Sequence, residues 1–319
     1  MNPDFMSRVT PANDVPTDSR EDLRVETLRV DTRRKAAAAY ELTKPRLNFL
    51  VVITTAVGFI VAAGSAGVAE QPWTFLLAIL GTALTAAGSG ALNQWLERDV
   101  DAAMNRTRNR PLPSGELASP IALGLGVLLA TLGVVVLATT VNLLTATLGL
   151  LTLLLYVAVY TPMKRRSPWS TLVGAVPGAI PPAMGVTAAT GQFTPAGWAL
   201  LAILMVWQMP HFFGLALLYK DDYARGGLKV LPTLANGETR TRWQVLLFCV
   251  LMFPAAVSPT ILGVAGWFYL AAALLLTSWF FAAGLRVFRD PSSANAKKLF
   301  LASIIYLPLL LAALMLNLT

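Results

Sequence analysis

Asn93, Glu97 and Asp101 stand four residues apart in a segment that begins apolar and ends charged. On an α-helix each step of four turns about 400°, so the three side chains lie along one face over about 12 Å. One amide oxygen and two carboxylates on a stripe form a hard oxygen-ligand set suited to Mg²⁺. Asp99 lies about 200° from Asp101 and points elsewhere if the helix persists. A solvated helix end, where acids and arginines merely pair, is the plain alternative. Against it, the stripe starts inside an apolar segment, and polar groups at membrane depth are usually functional.

Arg106, Arg108 and Arg110 follow the stripe directly. Guanidinium groups grip phosphate through forked donors. Arg106 and Arg110 share a face if their loop is helical, until Pro111 and Pro113 end it. The Tyr160-Thr-Pro-Met-Lys164 stretch offers a hydroxyl and an ammonium to the same phosphate. An interfacial tyrosine beside a snorkelling lysine is the alternative. Asp221 and Asp222 open a second acidic stretch and can supply the other half of a metal site. His211 lies eleven residues before Asp222, about three helical turns, so both can share a face with the histidine deeper. Its setting, Trp207-Gln-Met-Pro-His211-Phe212, places a helix-interrupting Pro210 beside it. His211 and Cys249 are the only histidine and cysteine. That excludes multi-histidine and cysteine metal centres but leaves haem contact or proton transfer open for His211.

Helices must position these groups. Mean hydropathy is +0.61, 55% of residues are hydrophobic and 13% are charged, with repeated apolar runs of about twenty residues. In hydrocarbon the backbone must satisfy its own hydrogen bonds, and runs this uniform do not alternate as barrel strands do. The chain therefore reads as an all-α polytopic membrane protein. About nine spans are expected, roughly at 46–66, 72–97, 118–138, 141–161, 169–189, 195–219, 243–263, 266–287 and 298–317. All 25 Lys and Arg then fall in the N-terminal tail, after even-numbered spans, or at the span ends bordering them. This asymmetry predicts a cytoplasmic N-terminus and an outer C-terminus. Attraction to anionic lipid accounts for the tail and for Arg286, Arg289, Lys297 and Lys298.

Residues 1–38 read as a largely disordered cytoplasmic tail without the apolar core of a signal peptide, with a short charged helix near Arg20–Lys35 on the membrane surface. Residues 39–319 read as one transmembrane domain. The loops at roughly 98–117 and 220–242 both start acidic and continue basic, a weak repeat that suggests a site between two helix bundles. Gly81, Thr85 and Ser89 permit close helix contact.

These motifs resemble those of the UbiA superfamily of intramembrane prenyltransferases. The likeness rests on Asn-x-x-x-acid-x-x-x-Asp from Asn93, Arg-Thr-x-Asn-Arg-Pro-Leu from Arg106, Tyr160-Thr-Pro-x-Lys164 and the second acidic loop. A finer resemblance, to the branch that farnesylates protohaem IX, rests on Thr43-Lys-Pro-Arg46, Tyr160–Trp169, Trp207–Phe212, Lys220–Gly227 and Leu231-Pro-Thr233. It covers about residues 40–317 and implies a UbiA-type helical bundle in the cell (inner) membrane. It implies Mg²⁺ on Asn93, Glu97, Asp101, Asp222 and Asp221, with the first four catalytic, and diphosphate on Arg106, Arg110, Tyr160 and Lys164. It further implies farnesyl diphosphate and haem B as substrates, haem O as product, His211 in the haem pocket, membrane lipid and a downstream haem A synthase as partners, and no nucleic acid. Two departures stand out: Glu97 replaces the usual Asp, and Leu218 stands where the second motif commonly has an Asp. A quinone or phenolic acceptor fits the chemistry-bearing residues equally well. A transporter for a phosphorylated anion would share repeats and interrupted helices, but its site would sit near the midplane rather than at one face.

Overall fold

The computed structural model describes residues 32–319, and the expected tail falls mostly outside the described residues. The part of it that is described is helical: α1 runs over 32–42 and buries Ala38 and Leu42 against Ala91, Leu117 and Ala122. The expected boundary at residue 38 is thus crossed by a helix docked on the bundle.

Nine helices among the described residues are long and apolar enough to cross a membrane, matching the expected number. They are α2 (Pro45–Glu70), α3 (Pro72–Ala103), α4 (Ser119–Thr140), α5 (Leu143–Leu154, continued to Met163), α6 (Ser170–Thr190), α7 (Pro195–Leu218), α9 (Gly237–Ile261), α10 (Trp267–Arg289) and α11 (Ser293–Met315). A short α8 (Lys220–Arg225) follows α7. Prolines open α2, α3 and α7, where the missing N–H costs nothing. Helix α2 breaks its regular backbone at Gly64, whose φ is 70°. Helix α3 extends beyond the expected span to Ala103, which keeps the whole Asn93–Asp101 stripe helical.

Helices α3 and α4 pair tightly, α2 packs on α6, α7 on α6, α9 and α11, and α10 on α9 and α11. Contact between α11 and α2 brings the ends of the series together. The largest core cluster draws on α6, α7, α9, α10 and α11. Helix α6 is the most enclosed, despite Pro177, Pro181 and Pro182 in its interior. Neighbours add hydrogen bonds to its carbonyls: Thr55 Oγ1 donates to Pro181 O (3.1 Å) and Gln208 Nε2 to Ala175 O (2.7 Å).

The α2–α6 crossing depends on two glycines. A Cβ at Gly58 would lie 1.9 Å from Pro182 O, and one at Gly185 would lie 1.9 Å from Thr55 O. Backbone atoms cannot swing aside, so the helices must part. Gly185→Ala is expected to cost about 1–3 kcal/mol and lower the thermal midpoint of the detergent-purified protein. An unchanged midpoint would show that the two backbones separate without cost.

Candidate functional site

The stripe on α3 is buried, and each of its polar groups meets a cation or a donor. Lys44 Nζ donates to Asn93 Oδ1 at 2.5 Å, and Asn93 Nδ2 donates to Glu97 Oε2 (3.0 Å) and Thr161 Oγ1 (2.9 Å). Lys164 Nζ donates to Glu97 Oε2 at 2.8 Å. It also lies 2.6 Å from Oε1, but without the direction of a hydrogen bond, so Oε1 is a buried carboxylate oxygen with no hydrogen-bond partner. Arg110 donates to Asp101 Oδ2 at 2.7 Å. Asp99 instead faces outward beside Arg98, as its phase on the helix requires.

Lys44 reaches the stripe from an unusual backbone. Its φ is 52° and ψ 57°, a left-handed conformation costing a side-chain-bearing residue about 1–2 kcal/mol. The turn is held on both sides: Asn48 Nδ2 donates to Thr43 O and Gln94 Nε2 to Leu42 O. Burial, with Arg110 adding to it, pulls the Lys44 ammonium down to about 7. Burial acts the same way on Lys164, but the adjoining Glu97 carboxylate outweighs it and raises the pKa above the usual lysine value. A cleft of about 450 Å³ lined by Tyr40, Glu41, Lys44, Gln94 and Arg110 opens beside the stripe.

The fourth span changes register at its end. Residues Leu155–Tyr160 form a π-helix, a feature frequent at functional sites. Thr161 and Lys164 then reach the stripe, and Lys164 Nζ sits 4.7 Å above the Tyr160 ring centre. Tyr160 and Lys164 thus share a face. Gly174 leaves room for the Tyr160 ring, since a Cβ there would lie 2.5 Å from it.

The two acidic loops meet, though not as a carboxylate cluster. Asp222 is buried and accepts from the Asn105 and Arg106 amides (3.2 Å each) and from the Arg225 guanidinium. Those donors overcome desolvation and hold its carboxyl below the usual range. Arg106 stacks over Tyr219 and Tyr223 of the second loop, 5.3 and 5.9 Å from the ring centres. Lys229 N donates to Lys164 O, fastening the connection after the fourth span to the second acidic loop. Asp221 is exposed and lines a separate cavity of about 420 Å³ with Glu238 and Asp290. Among the described residues no three Asp, Glu, His or Cys lie close enough to share one ion.

Three geometric expectations need correction. Residues 104–117 form turns rather than a helix, so Arg106 and Arg110 do not share a helical face. Arg110 turns back to Asp101 while Arg106 turns to the second loop. Helix α7 runs through Pro210 without a break and ends at Leu218, with Tyr219 at φ −112°. The helical phase linking His211 to Asp222 is therefore lost. His211 instead faces α11: its Nδ1 lies 2.8 Å from Ser303 Oγ, and its ring packs on Trp207 (5.2 Å) and Phe300 (4.8 Å).

Lys44, Thr161 and Ser303 escaped sequence reasoning. Lys44 and Thr161 lie inside motifs already marked, Lys44 before the proline that opens α2. Only its polarity singled out Ser303, since a lone serine in an apolar helix commonly bonds across a helix interface.

The donor set fits a hard divalent cation. Its three side chains offer oxygens from one helix face, and Glu97 Oε1 is buried without a hydrogen bond. The flanking Lys44, Arg110 and Lys164 suit a polyanion that would share the site.

Residues 51–307 match the UbiA prenyltransferase family. A protoheme IX farnesyltransferase from Solibacter usitatus is 43% identical over 287 residues, covering 87% of this chain and 97% of the relative. The fold resembles digeranylgeranylglyceryl phosphate synthase, with a TM-score of 0.72 at 17% identity over 89% of this chain and 98% of that one. A UbiA homologue from Archaeoglobus fulgidus bound to DMAPP and Mg²⁺ has a TM-score of 0.57 at 16% identity, covering 86% and 98% of the two chains. A buried acid–amide stripe flanked by cations, nine apolar helices among the described residues and a family match spanning most of the chain agree: the protein is a multi-pass membrane prenyltransferase of the UbiA family.

Proposed function

We propose that this chain transfers the farnesyl group of farnesyl diphosphate to a vinyl group of haem B, giving haem O. The observation that carries the donor half is the Asn93–Glu97–Asp101 stripe with Lys44, Lys164 and Arg110 already on its oxygens. The acceptor is supported by the relative's name and by its coverage of 87% of this chain.

Asn93, Glu97 and Asp101 would hold Mg²⁺, with Asp222 as the contribution of the second loop, while Asp221 faces the separate cavity. Bound there, the metal supplies positive charge against the diphosphate. The chain's own cations do the same work. Lys164, Arg110 and Arg106 stabilise the negative charge that builds as the C1–O bond breaks and the diphosphate leaves with the electron pair. Tyr160 offers its hydroxyl beside Lys164. The vinyl π-electrons close a new carbon–carbon bond to farnesyl C1, and water adds to the resulting haem-side cation, losing a proton. Water must be kept from the farnesyl cation before that step, because hydrolysis competes. The one-sided Lys and Arg distribution supports a cytoplasmic N-terminus, an outer C-terminus and location in the cell membrane. A haem A synthase in the same membrane is the proposed consumer of the product.

Purified protein given haem B, farnesyl diphosphate and Mg²⁺ is expected to yield a product whose mass equals haem plus a farnesyl group and a hydroxyl. Prenylation of a quinone or phenol with no haem product would move the acceptor to the other UbiA-type chemistry.

Arg110→Ala and Lys164→Ala each remove a charge-assisted contact worth roughly 1.5–3 kcal/mol, so farnesyl diphosphate affinity is expected to fall about tenfold or more. Arg106→Ala should act in the same direction with a smaller effect, because its side chain is exposed. Haem affinity should stay within about twofold. Equal losses for both substrates, measured by titration, would show a general folding defect.

A further inference from the structure

We propose that Ser303 is a positioning residue. It holds His211 as the Nδ1–H tautomer and leaves the Nε2 lone pair as the axial base for the metal ion of a flat macrocyclic acceptor. The second half rests on the haem reading above, and the first half does not.

The tautomer follows from counting protons. Ser303 Oγ lies 2.5 Å from Phe300 O and 2.8 Å from His211 Nδ1. A carbonyl cannot donate, so the single hydroxyl proton must lie between Ser303 Oγ and Phe300 O. The hydroxyl oxygen is then an acceptor toward His211, and Nδ1 must carry a proton. Among the described residues no acidic side chain bonds the ring, so one proton suffices and Nε2 is bare. Among the described residues Nε2 makes no hydrogen bond, yet it is not a sealed buried atom.

Aromatic rings pack around the imidazole. Trp207 stacks on the imidazole at an interplanar angle of 27°, Phe300 lies against it at 35°, and Phe212 meets it edge-on at 65°. Trp207 Nε1 donates to the backbone carbonyl of Ser303 at 2.9 Å. Two side chains one turn apart on α7 therefore dock on one residue of α11, fixing the ring in angle as well as in tautomer. A ligating histidine that donates its other N–H is oriented and made more basic by that bond.

A single histidine makes the test clean. Protein labelled with ¹⁵N-histidine, purified on an affinity tag free of histidine, gives one pair of ring-nitrogen resonances. Nδ1 is expected in the protonated, pyrrole-type region and Nε2 in the bare, pyridine-type region. Ser303→Ala removes the hydroxyl but keeps the carbonyl that Trp207 uses, so folding should be retained while the tautomers mix. Zinc protoporphyrin IX, which is diamagnetic and takes one axial base, should shift Nε2 far more than Nδ1. Ser303→Ala should weaken its binding about threefold to tenfold, the loss of one hydrogen bond.

An Nε2–H tautomer in the unsubstituted protein, or a spectrum unmoved by Ser303→Ala, overturns the role of Ser303. An unshifted Nε2 in protein that still farnesylates haem overturns the axial-base half. The expected tautomer with no porphyrin binding and no haem product would instead sink the haem acceptor, and the axial base with it.

Discussion

Asp101→Asn and Glu97→Gln are expected to lose turnover by about a hundredfold or more each, and the unsubstituted enzyme to lose it in excess chelator. Both carboxylates are buried, and both currently neutralise a cation, Arg110 and Lys164 respectively. Replacing either carboxylate by an amide keeps its shape but removes the charge that a divalent ion needs. It also leaves a buried cation unpaired, which is destabilising on its own account. Two measurements separate these effects. The thermal midpoint reports the lost pairing, and activity against Mg²⁺ concentration reports the lost ligand. A metal ligand predicts that the variants regain part of their activity at high Mg²⁺, whatever the midpoint does. Undiminished turnover in both variants, or in excess chelator, would remove the metal from the mechanism and leave the stripe as a set of ion pairs.

How far this arrangement was legible depends on which interactions are local in sequence. The Asn93–Asp101 stripe was readable because helical phase depends on spacing alone, and α3 persists to Ala103. The span count was readable because hydrocarbon leaves the backbone few choices. Arg106 and Arg110 were identified as residues but misplaced as a pair, because the turns at 104–117 are set by contacts to Asp101, Tyr219 and Asp222 that lie elsewhere in the chain. Lys44 reaches Asn93 across 49 positions and Thr161 reaches it across 68, distances at which no periodicity helps. The phase argument for His211 and Asp222 failed for a definite reason: it assumed one continuous helix, and α7 stops at Leu218. The separate expectation that Pro210 interrupts its helix also failed, because packing on α6, α9 and α11 keeps α7 whole.

His211→Ala is expected to leave farnesyl diphosphate affinity within about twofold of the unsubstituted protein while cutting haem O formation by about tenfold or more. The asymmetry follows from position. The proposed metal-holding Glu97 and Asp101 and the proposed diphosphate-binding Lys164 and Arg110 pair with one another at the ends of α3 and the fourth span and in the turns after α3, and their ion pairs do not involve His211. The histidine sits two helical turns before the end of α7, among Trp207, Phe300 and Ser303, in a layer of aromatic rings rather than charges. Removing the imidazole deletes the only imidazole in the chain and frees a face of both rings. Ser303→Ala should reproduce a smaller version of the same defect, since it disturbs the tautomer but keeps the base. His211→Ala should also change the Soret band of bound haem, a readout independent of turnover. Normal haem O formation with an unchanged spectrum would make His211 a packing residue between α7 and α11. It would also weaken haem against a quinone acceptor, because the Trp207–Phe212 stretch is where the sequence itself separates the two.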